Sequence, residues 1–185
     1  MISTAHLRAN LSQTVKRVFG AQKTLRIVDA PCGDMTWMPL LINDLALAFE
    51  HVEYIGIDIV PDLINRNKEE ISFSENVDAQ FKCLDVTREP IPDCDLLLCK
   101  DLVNHLSNRD VLRLLENIQS SYCEYAVITS NRGCVNTELP ASGIGATRLL
   151  DLQEPPFSLP QPVQDDGYLA FWELPWRPFN SRSKP

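Results

Sequence analysis

Short apolar runs alternate along this chain with stretches whose apolar residues recur at helical spacing. Leu7, Leu11, Val15 and Val18 predict a first helix over about residues 4–19, with Ser3 or Thr4 as its cap. Leu25-Arg26-Ile27-Val28-Asp29 then reads as a strand that ends in a turn-like Pro31-Cys32-Gly33. A second helix is expected from near Thr36, with Pro39 in its first turn, where a missing N–H costs nothing. Trp37, Leu40, Leu41 and Leu45 would form its inner face. Tyr54 to Asp58 is the second strand, and Pro61 opens a helix to about Ile71 that sets Leu63, Ile64, Asn67 and Ile71 inward. The third strand, Gln80 to Asp85, alternates in polarity as an edge strand does. The fourth, Asp95 to Lys100, is apolar throughout its middle and is expected at the centre of a sheet. Ser107 caps a helix that carries Val111, Leu114, Leu115 and Ile118, and Tyr125 to Ser130 is the fifth strand.

Strands alternating with helices in this way predict an α/β fold with a parallel sheet and right-handed crossovers. After Ser130 the rhythm changes. Residues 131–146 are rich in Gly, Asn and Ser. Two more β-like runs follow, Thr147 to Leu152 and Tyr168 to Leu174, joined by a Pro-rich stretch over 155–162. They are expected to pair antiparallel and close the sheet. Residues 1–174 read as one domain, and 175–185 as a loose tail.

Composition narrows the classes. The 185 residues are 44% hydrophobic and 23% charged, the balance of a globular chain, with a formal net charge of −8. That charge argues against binding along a nucleic-acid backbone, and Arg8, Lys16 and Arg17 read as a solvated helix face. No apolar stretch is long enough for a membrane span, and the first residues lack the plan of a secretory signal. The six cysteines form no CxxC pair, and several sit in apolar runs where a free thiol packs as a small hydrophobe. No metal site and a cytoplasmic location are expected.

The chemistry is expected where the strands end. Val28-Asp29, Ile57-Asp58, Leu84-Asp85 and Cys99-Lys100-Asp101 each finish on an acid. In an open parallel sheet such ends share one rim, the rim where ligands bind. Any single Asp there is as readily a turn or cap residue. The loop after the first strand is neither a GxxxxGK[ST] phosphate loop nor a GxGxxG fingerprint, and Asp34 would repel a pyrophosphate. Carboxylates welcome instead a ribose diol, an adenine amino group and positive charge. S-adenosyl-L-methionine carries all three.

Asp29-Ala30-Pro31-Cys32-Gly33-Asp34-Met35-Thr36-Trp37-Met38 resembles motif I of class I S-adenosylmethionine-dependent methyltransferases, in the form D-x-P-C-G-D-x-x-W-M of one bacterial group. Tyr54 to Val60, Cys99 to Ser107 and Arg148 to Phe157 resemble the same group, so the likeness spans about residues 25–174. It implies a Rossmann-like fold: a seven-stranded, mostly parallel sheet in order 3-2-1-4-5-7-6, strand 7 antiparallel, with helices on both faces. It also implies cofactor contacts. Asp29, Ala30, Pro31, Cys32 and Gly33 would pass near the methionine moiety and Asp34 near its ammonium. Asp58 would hold the ribose and Ile59 would pack on the adenine. Asp85 and the Val86 N–H would meet the adenine edge, and Lys100 would contribute its carbonyl. Met35 departs from many members of the wider superfamily, which have a third glycine there.

Methyl transfer is an in-line displacement governed by positioning, with a base needed only if the acceptor must lose a proton. Asp101 and His105 follow the fourth strand and are the candidate catalytic residues, His105 having the natural pKa for a base near neutrality. Trp37 is either a wall of the acceptor pocket or core. Glu154-Pro155-Pro156-Phe157 resembles the [DN]PP[FY] signature of amino-methylating enzymes but follows a later strand, so it reads as a loop shaping the acceptor pocket. Arg148 reads as half of a surface salt bridge, or as a contact for an anionic acceptor. The expected activity is methyl transfer to a small-molecule O or N acceptor. The alternatives are a methyltransferase-like binding module without catalysis, and a nicotinamide-dependent oxidoreductase for which no Tyr/Lys pair is evident.

Overall fold

Three of the apolar runs become parallel strands: β1 (Thr24–Asp29), β2 (His51–Asp58) and β3 (Val77–Cys83), in the order β3-β2-β1. A computed structural model describes residues 4–139 and 145–176, and the chain divides into two units, Met1–Leu84 and Asp85–Pro185. In the first unit α1 (Thr4–Phe19) packs on α2 (Met38–Ala46), and α3 (Pro61–Glu70) packs on β2 and β3. Leu7, Leu11 and Val15 of α1 are buried, as its spacing predicts, whereas Val18, expected inside, is half-buried and its neighbour Phe19 is buried instead; Arg8 pairs with Asp44 at 3.6 Å. Ser3, a candidate cap, lies outside the described residues. Pro39 does sit in the first turn of α2, with Trp37 at the N-cap. Its inner face is Met38, Leu41, Ile42, Leu45 and Ala46, whereas Leu40, expected inside, is exposed. The helix starts at Met38 rather than near Thr36.

Register positions the end of this sheet. Asp29 lies opposite Gly56, so β2 runs on for Ile57 and Asp58 beyond the end of β1. The loop after β1 folds back on that extension, with the Cys32 N–H donating to the Ile57 carbonyl at 2.8 Å. Gly56 is required beneath it. A Cβ there would stand 2.7 Å from the Phe81 ring and 3.2 Å from the Cys32 Cβ.

The second unit holds β4 (Leu96–Cys99) and β5 (Tyr125–Thr129) in parallel, with β7 (Leu169–Glu173) antiparallel to β5 and β6 (Gln164–Asp165) antiparallel to β7. Its order, β4-β5-β7-β6, together with β3-β2-β1 in the first unit, is the order expected. β4 is buried along its whole length. The helix α4 (Asn108–Ser120) buries all four expected residues, and Ser107 caps it by accepting the Asp110 N–H at 3.1 Å.

The sixth strand is not where the sequence suggested. Thr147 to Leu152 forms no strand, although Leu150, Asp151 and Leu152 are buried. Side-chain amides take the place of a ladder. Asn136 Oδ1 accepts the Asp151 N–H at 2.8 Å, Asn136 Nδ2 donates to the Asp151 carbonyl at 2.7 Å, and Ser130 Oγ accepts the Leu152 N–H at 3.0 Å. The strand forms instead after the proline run, as soon as the backbone again has N–H groups to pair. The chain at Pro175–Trp176 is also tied down, the Trp176 N–H donating to Gln119 Oε1 at 2.8 Å, and 177–185 lie outside the described residues. Among the described residues no helix is long and apolar enough to cross a membrane.

Candidate functional site

In the first unit the loop from Ala30 to Thr36 is built around two acids with different jobs. Asp29 is buried and accepts the Tyr54 hydroxyl at 2.8 Å, while that hydroxyl also lies 3.2 Å from Met35 Sδ. Burial and the charge of Asp29 hold the Tyr54 phenol well above its ordinary value, so it stays a donor. Asp58 behaves differently. Its Oδ2 accepts the Gly33 N–H at 3.2 Å and its Oδ1 accepts the Val60 N–H at 3.1 Å. Each oxygen retains a second lone pair. Beside it Ile59 is 63% exposed and Val60 48% exposed. An acid locked by backbone donors next to bare aliphatic surface is suited to a diol carried on a flat apolar ring.

Gly33 takes φ +58°, and nothing stands within 4 Å of where its Cβ would be. Asn67 fixes this turn from α3, donating to the Gly33 carbonyl at 2.8 Å, with its amide 3.8 Å from the Cys32 sulfur. Met35 also takes a positive φ of 58°, with its side chain buried against Tyr54. Core packing thus holds the left-handed backbone that glycine would adopt freely. Cys32 is a neutral thiol, pushed up to about 12 by burial and then by the charges of Asp29 and Asp58. Asp34 is exposed and accepts the Thr36 N–H at 3.1 Å, and the bonds from Thr36 hold its carboxyl below the usual range.

In the second unit Asp85 is occupied locally. Its Oδ1 accepts the Thr87 N–H at 3.0 Å and the Thr87 hydroxyl at 2.6 Å, and its Oδ2 pairs with Arg88 at 3.3 Å. This is the turn role open to any strand-end Asp. Val86 is buried, and its carbonyl accepts Asn117 Nδ2 at 2.7 Å.

Asp101 is the centre of a side-chain cluster. It takes φ +61°, a left-handed position without glycine, and its N–H donates to Thr129 Oγ1 at 2.8 Å. Its carboxylate pairs with the Lys100 ammonium and accepts the Tyr168 hydroxyl. The ammonium lies 5.8 Å from the centroid of the Tyr168 ring. Burial alone would raise the Asp101 carboxyl, but the bonds from Lys100 and Tyr168 and the Lys100 charge outweigh it and hold it low. The same bonds raise Lys100 against its burial. Tyr168 is raised by burial and by the Asp101 carboxylate. At neutral pH the cluster is an ammonium, a carboxylate and an intact phenol. A Tyr/Lys pair is therefore present, with its phenol poised against ionisation rather than toward it.

His105 stands apart from that cluster's bonds. It closes the short 3₁₀ turn Val103–His105, is exposed, and places Nδ1 3.0 Å from the Ala146 carbonyl. A carbonyl can only accept, so Nδ1 is the donor in this bond. Arg148 is buried rather than at the surface, donating to Asn108 Oδ1 at 2.9 Å and pairing with Glu138 at 3.4 Å. Trp37 is half-buried at the start of α2. Glu154 and Pro155 line a shallow cleft with Gly133, Cys134, Val135 and Asn136.

Asn67, Tyr54, Thr129 and Tyr168 are the residues that sequence reasoning missed. Asn67 left a trace, a polar residue on the apolar side of α3. Tyr168 left none, since it reaches Asp101 from 67 positions away.

No protein family and no curated protein matches the sequence. Solved structures do match. A possible exported protein from Bordetella parapertussis superposes with a TM-score of 0.54 at 16% identity, over 78% of this chain and 46% of its own. The [4+2]-cyclase SpnF gives 0.50 at 18% identity, over 78% of this chain and 53% of its own. Magnesium protoporphyrin IX methyltransferase from Synechocystis PCC 6803 gives 0.46 at 14% identity, over 71% and 62%. The likeness is one of fold. The chain spans about half the length of the first two structures.

Proposed function

We propose that the chain is an S-adenosyl-L-methionine-dependent methyltransferase acting on a small-molecule O or N acceptor. The observation that carries this reading is Asp58. It is a buried carboxylate fixed by the N–H groups of Gly33 and Val60, with a free lone pair on each oxygen and exposed Ile59 beside it. Those residues fit the cofactor's ribose diol and adenine face. Asp34 of the loop and Asp58 at the end of β2 disfavour a pyrophosphate.

Bound S-adenosylmethionine supplies an electrophilic methyl group on a sulfonium. In this reading Asp58 holds the ribose, Ile59 covers the adenine, and the backbone of Ala30 to Gly33 passes along the methionine, with Asp34 near its ammonium. Asn67 keeps the loop in place. Asp85 and Val86, with their local bonds, would line the adenine edge mainly through backbone, and Lys100 would lend its carbonyl while its ammonium holds Asp101. His105 is the better base of the two candidates, because the Nδ1 bond to the Ala146 carbonyl leaves Nε2 as the nitrogen to take a proton, and the Asp101 carboxylate is held at low basicity by its partners. Asp101 would orient an acceptor instead. A cytoplasmic setting accords with six cysteines, none of which is in a disulfide.

Calorimetry with S-adenosylmethionine, its demethylated product and NAD, on wild type and Asp58→Ala, tests the reading. Binding of the first two, lost in Asp58→Ala, is expected. Binding of NAD alone would refute it. A second reading, a binding module without methyl transfer, is favoured by the quenched basicity of Asp101, and SpnF, described as a cyclase, illustrates that fold does not dictate activity. Methyl transfer across an acceptor panel, lost in His105→Ala, would exclude that module.

A further inference from the structure

Cys94 and Cys123 lie just ahead of β4 and β5, and neither enters the chemistry above. Both are buried, and their sulfurs are 2.7 Å apart. The strand register explains the meeting. Leu96 is opposite Tyr125 in the parallel pair, and the Tyr125 N–H donates to the Asp95 carbonyl at 3.0 Å. Carrying that register back two residues sets Cys94 beside Cys123. Neighbouring strands stand about 4.8 Å apart, inside the separation of about 4.4–6.8 Å that a disulfide bridges between Cα atoms.

We propose that Cys94 and Cys123 form an oxidative modification site, closing to an intramolecular disulfide that staples β4 to β5 at their leading ends. A peroxide is the oxidant class small enough for buried sulfurs. The Cys123 thiolate attacks one oxygen of hydrogen peroxide, the O–O bond breaks, and the departing hydroxide takes up a proton to become water. Cys123 is then a sulfenic acid. The Cys94 sulfur attacks it, the S–O bond breaks, and the hydroxyl leaves as water with the Cys94 proton. Two thiols are oxidised and one peroxide is reduced to two waters. Cys123 takes the first step because the bond from Cys94 lowers its thiol against the opposing effect of burial. Cys32, pushed up to about 12, stays inert. The far ends of the same two strands are joined by the Asp101 N–H to Thr129 bond, so the staple braces the pair that carries the Asp101 cluster. This inference is independent of the methyl-transfer reading.

The test is peptide mapping of the full native chain after exposure to hydrogen peroxide, with remaining thiols alkylated in denaturant and no reductant added. The expected result is a Cys94–Cys123 cross-linked peptide, reversed by dithiothreitol, with a Tm rise of about 5–10 °C. Exposed Cys83 serves as an internal control, oxidised or alkylated without that cross-link. C94A and C123A should each abolish the cross-link and the Tm rise. Both thiols alkylated, or each oxidised alone, overturns the proposal. So does a cross-link that forms only in unfolded chain, or one that leaves Tm unchanged. The wild-type map decides the matter even if a variant fails to fold.

Discussion

Asp58 and Asp101 each close a parallel strand, yet they are held in opposite ways. Backbone N–H groups from Gly33 and Val60 fix Asp58, and its neighbour Ile59 is bare. Side chains fix Asp101: Lys100, Tyr168 and Thr129 gather round a residue in a left-handed backbone position. Backbone donors occupy one lone pair on each oxygen and add no full charge, so the acid remains available to a ligand. A cation and a phenol neutralise and lower the other acid, which suits it to orienting a group rather than taking its proton. Two further strand-end acids widen the contrast. Asp29 is buried on Tyr54, and Asp85 is folded into its own turn.

The sharpest way to break this comparison is through cofactor binding. Asp58→Ala should weaken S-adenosylmethionine binding by about 100-fold, the loss of two hydrogen bonds to a charged group at about 1.5 kcal/mol each. Asp101→Ala should leave it within about threefold. Equal losses by calorimetry would erase the distinction between an available and an occupied acid. Next in size is Tyr54→Phe, which strips a donor from the buried Asp29. Urea unfolding should show a loss of about 2 kcal/mol. Asn67→Ala removes the anchor on the Gly33 carbonyl and should cost about 1–2 kcal/mol in the same assay. No change there would mean the loop holds itself.

A pH titration sharpens the Asp101 side. Its carboxyl is held below the unfolded value of about 3.9, so its stabilising contribution is present above that pH. The contribution disappears as pH falls from about 4 through the lower folded value. Tyr168→Phe removes one donor, so the Asp101 carboxyl should titrate higher by carbon NMR and acid should cost the variant less stability. An unchanged titration would take Tyr168 out of the cluster. The smallest effect belongs to Asp85. Its partner Arg88 is largely exposed, so Arg88→Ala should shift stability by no more than about 0.5 kcal/mol in thermal unfolding.

Much of the fold was legible because local periodicity reports local burial. The four inward residues of α4, the fully buried β4 and the cap at Ser107 all follow from spacing within one element. The turn at Gly33 was legible for the same reason, being marked by Pro31-Cys32-Gly33, but its bonds to Asp58 and Asn67 span 25 and 34 positions and left no local trace. The expected strand at Thr147 to Leu152 failed on a nonlocal cause. Its apolar residues are buried, but Asn131, Asn136 and Ser130 capture its backbone from other loops, which no periodicity within the run can announce. Arg148 was misplaced at the surface likewise, since its partners Asn108 and Glu138 are distant in sequence.

The sequence by itself therefore determined the helices and the five parallel strands, and that four of those strands end on or run into an acid. Hydrophobic period and turn chemistry act over a few residues and leave their mark in the order of the chain. Only the tertiary structure decided what each acid does. Asp29, Asp58, Asp85 and Asp101 look alike as strand endings, and their differences come from partners that are backbone amides in one case and a tyrosine 67 positions away in another. A carboxylate's chemistry is set by the donors and charges within a few ångströms, and folding alone chooses those.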